Sequence, residues 1–212
     1  MISPEAEEIL EMLYICDAEG GPYDAELARS PAVAEVAAGA LAEPVDGRYR
    51  LTVEGRRAGQ DVVRRHRLAE RLLQDVLASP AAQMEEDACR FEHVLVADLA
   101  DRVCTLLGHP TTCPHGHMIP PGPCCLEARA RPAREVGPLC DGKAGAEGSV
   151  AYLTTRDSRE VQKLMAMGIL PGARIQLLRR FPSYVFQVGY SQFTVDRPLA
   201  AAVYVHWDKG KR

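Results

Sequence analysis

The sequence lacks three features that would assign it to the membrane, secreted or general nucleic-acid-binding classes. No apolar run reaches about 18 residues, the length of a membrane span. The acidic, amphipathic start MISPEAEEIL differs from a signal peptide, which needs a basic start and an apolar core. The formal net charge is −4, so a DNA contact would have to come from a local basic patch. We therefore expect a cytoplasmic protein with no membrane segment.

Seven cysteines stand out in a composition that is otherwise ordinary, with 47% hydrophobic and 25% charged residues. In a reducing compartment such cysteines are expected as metal ligands or buried apolar groups rather than as disulfides. The 212 residues are enough for one large domain or for two to three small ones.

The spacing of apolar residues predicts a mainly helical chain with a small β part. Helical periodicity occurs over residues 3–19, over 24–43 with an interruption at Ser30-Pro31, and over 54–77. Residues 85–107 predict one or two further helices, and a short helix is predicted around 161–167. Asp46-Gly47 predicts a turn into a strand at 48–53, as in a small β-wing. Residues 109–123 are rich in proline, glycine, histidine and cysteine, which is typical of a loop or linker. Short strands within 148–207 predict a small barrel.

Possible metal ligands are concentrated on three of these helices. The candidates are His66 and Glu70 on one helix, Glu85, Cys89, Glu92 and His93 on the next, and Glu8 and Glu11 on the first. Their spacings place the candidates of each helix on one face. Imidazole and carboxylate together suit Mn²⁺ and Fe²⁺, and a thiolate shifts the preference toward Fe²⁺, Co²⁺, Ni²⁺ or Zn²⁺. By spacing alone, a solvated His–Glu pair and a buried apolar thiol fit equally well.

Two segments, RHRLAERLL at 65–73 and EDACRFEHVL at 86–95, resemble the metal-binding and dimerisation core of the diphtheria-toxin-repressor family. GILPG at 168–172 and its flanking strands resemble the SH3-like domain of ferrous-iron-transport A proteins. The resemblance covers nearly the whole chain. It implies a mainly α fold with a truncated winged-helix-like N-terminal unit, a helical metal-binding and dimerisation domain, and a C-terminal SH3-like β-barrel.

The resemblance also implies an order of domains along the chain. The expected ranges are 1–58 for the winged-helix-like domain with a degenerate helix-turn-helix, 59–110 for the metal-binding and dimerisation helices, 111–146 for a Cys/Pro/Gly-rich linker, and 147–212 for the SH3-like domain. Apolar residues between 92 and 107 are left without an obvious partner, so we expect a homodimer.

Two metal sites follow from the resemblance. The primary site is expected to contain Glu8, Cys89, Glu92 and His93, with Glu11 as an extra ligand. The ancillary site is expected to contain His66, Glu70 and Glu85. Asp157 and Glu160 match positions from which the C-terminal domain contributes ligands. Cys89 resembles the iron-responsive branch and Glu8 the manganese-responsive branch, and we expect Fe²⁺ in preference to Mn²⁺.

A second group of cysteines lies outside this set. Its members are Cys113, Cys124, Cys125 and Cys140. Soft ligands on a flexible backbone suit an iron–sulfur cluster or a structural Zn²⁺. The spacing lacks a pair of Cys-x-x-Cys motifs, so a loop of free thiols is an equal alternative. Cys16 and Cys104 are expected in the core. His109, His115 and His117 could contribute ligands, but we expect them rather as exposed loop residues.

The implied function is that of a metal-dependent (Fe²⁺ or Mn²⁺) DNA-binding transcriptional regulator of metal homeostasis. An enzyme is not expected, because nothing near Cys89 and His93 supplies an oxyanion site or a phosphate loop. The candidate recognition helix within 31–41 is short and contains no Arg, Lys, Asn or Gln, and its Glu35 would face phosphate. The DNA-contacting residues therefore stay unassigned. The alternative is a metal-binding dimer that has lost sequence-specific DNA binding and acts as an iron-binding or protein-interaction module.

Overall fold

The computed structural model describes residues 2–130, 136–155 and 157–208. The protein divides into two compact units. The first unit comprises Met1–Glu70, Glu85–Ala100 and Thr111–Pro120, and the second comprises Arg71–Met84, Asp101–Pro110 and Pro121–Arg212. In the described part of the chain, no helix combines the length and the apolar character of a membrane span.

Five helices and one hairpin make up the chain as far as residue 106. In order they are α1 (Pro4–Glu19), α2 (Ala32–Ala38), β1 (Ala42–Val45), β2 (Arg48–Leu51), α3 (Val53–Asp75), α4 (Ala81–Glu92) and α5 (Ala97–Leu106). Helix α1 begins where the Ser3 side chain accepts a hydrogen bond from Ala6 N, and it ends at Gly20 with φ of 73°. The predicted mainly helical character is thus confirmed.

Helix α1 packs against α3 through an unusually close approach of the two backbones. The buried face of α1 carries Ile9, Leu10 and Leu13 at helical spacing. A Cβ atom added to Gly59 of α3 would lie 2.7 Å from the carbonyl oxygen of Leu10 and 2.9 Å from Cβ of Tyr14. Only glycine at position 59 therefore allows α1 to lie this close to α3. The close approach brings the acidic side chains of α1 toward the side chains of α3.

The predicted hairpin is present, whereas the helix-turn-helix is reduced. Asp46 and Gly47 both have positive φ, 52° and 78°, as the two-residue turn of a tight hairpin requires. The helical stretch predicted over 24–43 contains only a 3-10 turn at Leu27–Arg29 and the seven residues of α2. Its last residues form β1 instead, because they pair with β2 from Ala42↔Leu51 to Val45↔Arg48.

The second unit is built around an antiparallel sheet of six strands. Its remaining elements are α6 (Pro123–Ala130), β3 (Val136–Pro138), β4 (Glu147–Leu153), α7 (Ser158–Ala166), β5 (Arg174–Arg179), β6 (Tyr184–Val188), β7 (Ser191–Val195), α8 (Arg197–Ala202) and β8 (Val203–Trp207). Buried Leu164 of α7 packs with Leu177 and Phe186 in the core of this sheet.

The strand order β3-β8-β4-β5-β6-β7 confirms the short strands that the sequence predicts. Among the described residues, β3 and β7 do not pair with each other, so the predicted barrel is an open sheet. Helix α6 lies in the segment that was expected to be a linker. Pro123 occupies its first turn, where the missing N–H of proline costs no intrahelical hydrogen bond.

Candidate metal centre

The centre of the first unit holds Glu11 of α1, His66 of α3 and Glu92 of α4. Each offers one ligand atom, and the three atoms lie within 4.8 Å of one another. His66 Nδ1 is 2.6 Å from Glu92 Oε2 and 3.8 Å from Glu11 Oε1. Glu92 is fully buried, and its Oε1 has no hydrogen-bond partner among the described residues. A buried carboxylate oxygen without a donor fits a site that receives a cation.

A second group joins Glu8 of α1 to Cys89 and His93, again within 4.8 Å. The thiol of Cys89 donates a hydrogen bond of 2.8 Å to Glu8 Oε1, and His93 Nε2 lies 3.6 Å from the same oxygen. His93 Nε2 is also 3.9 Å from Glu92 Oε1, so this group adjoins the first one. The structure thus brings together the five residues predicted for the primary site, distributed over two adjoining groups.

Glu7 supports His93, and the sequence analysis missed this role. Glu7 Oε2 lies 2.6 Å from His93 Nδ1, which leaves Nε2 facing Glu8 and Glu92. The guanidinium of Arg65 donates to Glu7 Oε1 at 2.6 Å and to the backbone oxygen of Glu92 at 2.7 Å. A carboxylate on the second nitrogen of a histidine is the usual support for a metal-binding imidazole. No local signal in the sequence separates Glu7 from the other acidic residues of α1.

The predicted ancillary set is also brought together. His66, Glu70 and Glu85 offer ligand atoms within 4.8 Å of one another. His66 Nε2 lies 3.8 Å from Glu70 Oε1 and 3.6 Å from Glu85 Oε1. His66 therefore faces the first group through Nδ1 and this group through Nε2.

Two residues that were assigned elsewhere from the sequence join the ancillary set. His115 Nδ1 lies 2.6 Å from Glu70 Oε1 and 3.9 Å from Glu85 Oε2. Cys113, Glu70 and His115 form a further group within 4.8 Å. His115 is exposed in a loop, as expected, but its imidazole also contacts the buried carboxylate of Glu70. The short spacing of Cys113-Pro-His115 was the only hint in the sequence.

Some members of these groups line one open cavity of about 530 Å³. The ligand candidates in its wall are Glu8, Glu11, His66, Glu70, Glu85, Cys113 and His115. A hydrated cation therefore has an entry path to the carboxylates and imidazoles.

Proton binding balances the negative charge of these groups. Burial by itself lowers the pKa of His66, but hydrogen bonds with Glu70 and Glu92 raise it to about 11. Burial raises the pKa of Glu11 to about 7. Burial and the hydrogen bond to Glu8 raise the pKa of Cys89 to about 12. At neutral pH the centre thus retains protons that a bound cation would replace.

The remaining predicted ligands have other surroundings. Asp157 caps α7 by accepting from Arg159 N at 2.9 Å, and Glu160 accepts a hydrogen bond from the Thr155 hydroxyl. Cys140 lies in the core of the six-stranded sheet.

Cys124 and Cys125 lie beside Cys104 and His109. The predicted group of Cys113, Cys124, Cys125 and Cys140 is therefore not the grouping found among the described residues. His109 is also not a simple loop histidine, because Cys104 Sγ is 3.7 Å from its Nδ1.

Glu35 of α2, which was expected to face the DNA phosphates, has a different environment. Its carboxylate accepts hydrogen bonds from Ser3 N at 2.9 Å and from Ser3 Oγ at 2.6 Å, so it is engaged at the start of α1. These bonds hold the pKa of Glu35 below its ordinary value. The exposed positions within α2 are Ala34 and Ala38, which offer no side-chain hydrogen bond to a base.

Comparison with known proteins decides the family. The family model described as "Iron dependent repressor, metal binding and dimerisation domain" matches residues 52–121. The FeoA domain model matches residues 137–206. The iron-dependent repressor IdeR of Mycobacterium leprae (strain TN) is 33% identical over 170 residues, which are 73% of this chain and 71% of that protein. The chain belongs to the iron-dependent repressor family.

A second relative and one solved structure are also similar to the chain. IdeR of Mycobacterium tuberculosis (strain H37Rv) is 32% identical over 170 residues, which are 76% of this chain and 74% of that protein. The solved structure of the manganese regulator SloR has a TM-score of 0.50 at 20% identity, covers 96% of this chain and 99% of that one, and shows the shared fold alone. The resemblance to repressors and to ferrous-iron-transport A proteins is confirmed.

Proposed function

We propose that this iron-dependent repressor family member is a metal-dependent, DNA-binding transcriptional regulator of metal homeostasis. The observation that carries the proposal is the buried Glu92, whose Oε1 accepts no hydrogen bond among the described residues and faces His93. The ligands of the primary site would be Glu8, Glu11, Cys89, Glu92 and His93. Those of the ancillary site would be His66, Glu70, Glu85, Cys113 and His115.

A bound divalent cation supplies the positive charge that allows these carboxylates, imidazoles and thiolates to face one another. Glu8 and Glu11 extend from α1 toward side chains of α3 and α4, and the thiol of Cys89 donates a hydrogen bond to Glu8. These two glutamates therefore couple the position of α1 to the occupancy of the centre. This coupling requires that the cation binds more tightly when α1 is in one position than when it is in another.

The donor set supports Fe²⁺ or Mn²⁺ as the activating ion. Carboxylates and imidazoles suit both metals, and the thiol of Cys89 favours Fe²⁺. The names of the relatives include both an iron-dependent repressor and a manganese regulator.

The protein is expected to act as a homodimer. Val94, Val96 and Leu99 leave 61%, 63% and 41% of their surface exposed, and they lie just before α5 and in its first turn. An apolar patch of this kind is typical of an interface. The description of the family model for residues 52–121 names dimerisation as well as metal binding.

DNA contact is proposed to come mainly from the hairpin β1–β2. Arg48 and Arg50 are exposed and alternate with Tyr49, so both lie on one face of β2. Arg48 stacks on the ring of Tyr23 at 5.2 Å from its centroid, which fixes its orientation. Arginines on a wing neutralise phosphate and carry little sequence information.

The test is fluorescence anisotropy with the DNA upstream of the protein's own gene, under anaerobic conditions. Fe²⁺ or Mn²⁺ is expected to strengthen binding, and Glu92→Gln is expected to abolish the metal effect. Arg50→Ala should weaken binding and reduce its salt dependence. Equal binding with and without metal would overturn the proposal.

The alternative is a metal-binding dimer that has lost sequence-specific DNA recognition. The alanines on the exposed positions of α2 favour it, because they read no base edge. Metal-strengthened binding that is equal for the upstream DNA and a scrambled duplex would support this second function.

We also propose that the protein is not an enzyme. The Cys89 thiol donates to Glu8, and its raised pKa of about 12 opposes the thiolate that a nucleophile requires. Both Cys89 and His93 have a role in the proposed metal site.

A further inference from the structure

The second unit contains a cluster of three cysteines and one histidine that lies outside the metal centre described above. Its members are Cys104 of α5, His109 of the following turn, and Cys124 and Cys125 of α6. Each offers one ligand atom, and all four atoms lie within 4.8 Å of one another. Cys104 is fully buried and Cys125 is 8% exposed. The proposed regulatory function uses none of these residues.

The distances within the cluster match those of a single tetrahedral ion. Cys104 Sγ lies 3.5 Å from Cys125 Sγ and 3.7 Å from His109 Nδ1, and Cys124 Sγ lies 3.8 Å from Cys125 Sγ. Zn–S bonds of about 2.3 Å and Zn–N bonds of about 2.0 Å place ligand atoms about 3.5 to 3.8 Å apart around a tetrahedron. The sulfurs are too far apart for a disulfide bond, which is about 2.0 Å long.

The backbone holds His109 over Cys104. Helix α5 is followed by a turn in which Gly108 has φ of 72° and His109 has φ of 55°, both in the left-handed region. Its N–H donates to the carbonyl oxygen of Cys104 at 2.8 Å, which closes the turn. Non-glycine residues seldom adopt this conformation, although histidine does so more often than most, so the turn is maintained at a small cost in conformational energy. The result is an imidazole beside a buried sulfur.

We propose that Cys104, His109, Cys124 and Cys125 bind one Zn²⁺ ion as a structural site. Three thiolates and one imidazole form a standard ligand set for structural zinc. An iron–sulfur cluster distributes its cysteines over two or four irons and needs more widely separated sulfurs than this compact group provides. The site also differs in softness from the carboxylate-rich centre, so the two sites select different metals.

The zinc site fixes the end of α5 to α6 and to the sheet. His109 makes an edge contact with Tyr152 of β4 at 5.8 Å, and Tyr152 stacks on Tyr204 of β8 at 4.8 Å. A Cβ atom on Gly108 would lie 2.4 Å from the carbonyl oxygen of Leu153, so this turn lies directly against β4. Zinc thus stabilises the attachment of the sheet within the second unit.

The experiment measures zinc in the full-length protein, purified anaerobically with ZnCl₂ and passed over a chelating resin. The Glu70→Gln, Cys89→Ser, Glu92→Gln triple variant serves as background, because it removes ligands of both the primary and the ancillary set. We expect one zinc ion per chain, and loss of that ion in Cys104→Ser and Cys125→Ser. Cys16→Ser and Cys140→Ser, whose cysteines lie outside the cluster, are the matched controls and should retain it.

If Cys104→Ser or Cys125→Ser prevents folding, variants at the half-buried positions of the cluster still test the proposal. His109→Gln and Cys124→Ser are expected to fold and to lose the zinc. Reconstitution with Co²⁺ should give the intense visible bands of a tetrahedral ion and thiolate charge-transfer bands, both absent from the Cys124→Ser protein. No retained zinc, a Cys104–Cys125 disulfide under anaerobic conditions, or brown protein with acid-labile sulfide would each overturn the proposal.

Discussion

The imidazole Nδ1 of His115 lies 2.6 Å from Glu70 Oε1, although 45 residues separate the two in the chain. The contact joins the loop after α5 to the C-terminal part of α3, and it adds a ligand candidate to the ancillary set. Glu70 is only 2% exposed, and burial would raise its pKa, but hydrogen bonds with His66 and Cys113 hold it below its ordinary value. Glu70 is therefore an ionised, buried carboxylate between two imidazoles.

Replacing His115 tests this contact. His115→Ala is expected to weaken ancillary binding of Mn²⁺ roughly 10-fold or more, a magnitude typical of removing a group that supports a metal ligand. Competition with a fluorescent chelator measures the affinity. The control is His117→Gln, since His117 is exposed and belongs to no ligand group among the described residues. Equal affinities in the two variants would show that His115 has no part in the site.

Removal of the carboxylate behind His93 should weaken the primary site. Glu7→Gln is expected to reduce metal affinity about 10- to 100-fold, because His93 Nδ1 loses its charged carboxylate partner and the ring is held less firmly in position. Isothermal titration with Mn²⁺ measures the change. Glu5→Gln, at an exposed position of the same helical turn, should bind like the wild type. Wild-type affinity in Glu7→Gln would contradict the assigned role.

The close approach of α1 to α3 should be sensitive to side-chain size at Gly59. Gly59→Leu is expected to destabilise the protein by about 1–3 kcal/mol through overpacking, measured by urea unfolding. It should also weaken metal binding, because Glu8 and Glu11 move with α1. Arg57→Leu adds the same side chain at an exposed position of α3 and should change neither quantity greatly.

Metal binding should release protons and strengthen as pH rises. His66 and Cys89 have pKa values raised to about 11 and about 12, so both carry a proton at neutral pH, and Glu11 with a pKa of about 7 is partly protonated. Ligation requires their deprotonated forms, so affinity should increase from about pH 6 to about pH 8. Calorimetry in two buffers with different ionisation enthalpies counts the released protons. Proton uptake on metal binding, or a metal affinity that does not change with pH, would contradict the expected direction of the pH dependence.

Dimerisation should depend on the apolar residues at the start of α5. Leu99→Glu is expected to weaken self-association at least about tenfold, because it buries an unpaired charge in the interface. Sedimentation equilibrium measures the association constant. Leu170→Glu is a matched control, since Leu170 is also 41% exposed but lies in the second unit. If the dimers of the two variants dissociate equally, the apolar patch is not part of the interface.

The candidate ligands could be predicted because helical spacing is a local property. His66 and Glu70 share a face at i and i+4, and so do Glu85, Cys89 and Glu92, whatever the rest of the chain does. The hairpin was equally predictable, because Asp46-Gly47 tolerates the positive φ that its turn needs. The resemblance to the repressor family then indicated which helices share a cation.

Residue pairs that are far apart in the chain were not predictable in the same way. Glu7 meets His93 across 86 residues, and Ser3 meets Glu35 across 32. The linker cysteines show the same difficulty, because Cys125 lies beside Cys104 and not beside Cys140 among the described residues.

The amino-acid sequence by itself determined which faces of α1, α3 and α4 carry acids, imidazoles and a thiol, since these depend only on helical periodicity. Tertiary packing decided which nitrogen of His93 is left for a cation, where His115 lies, and which cysteines share a site. The physical reason is distance: a side-chain contact needs two atoms within a few ångströms, and only the close approach of separate helices and turns, such as that permitted by Gly59, brings them there.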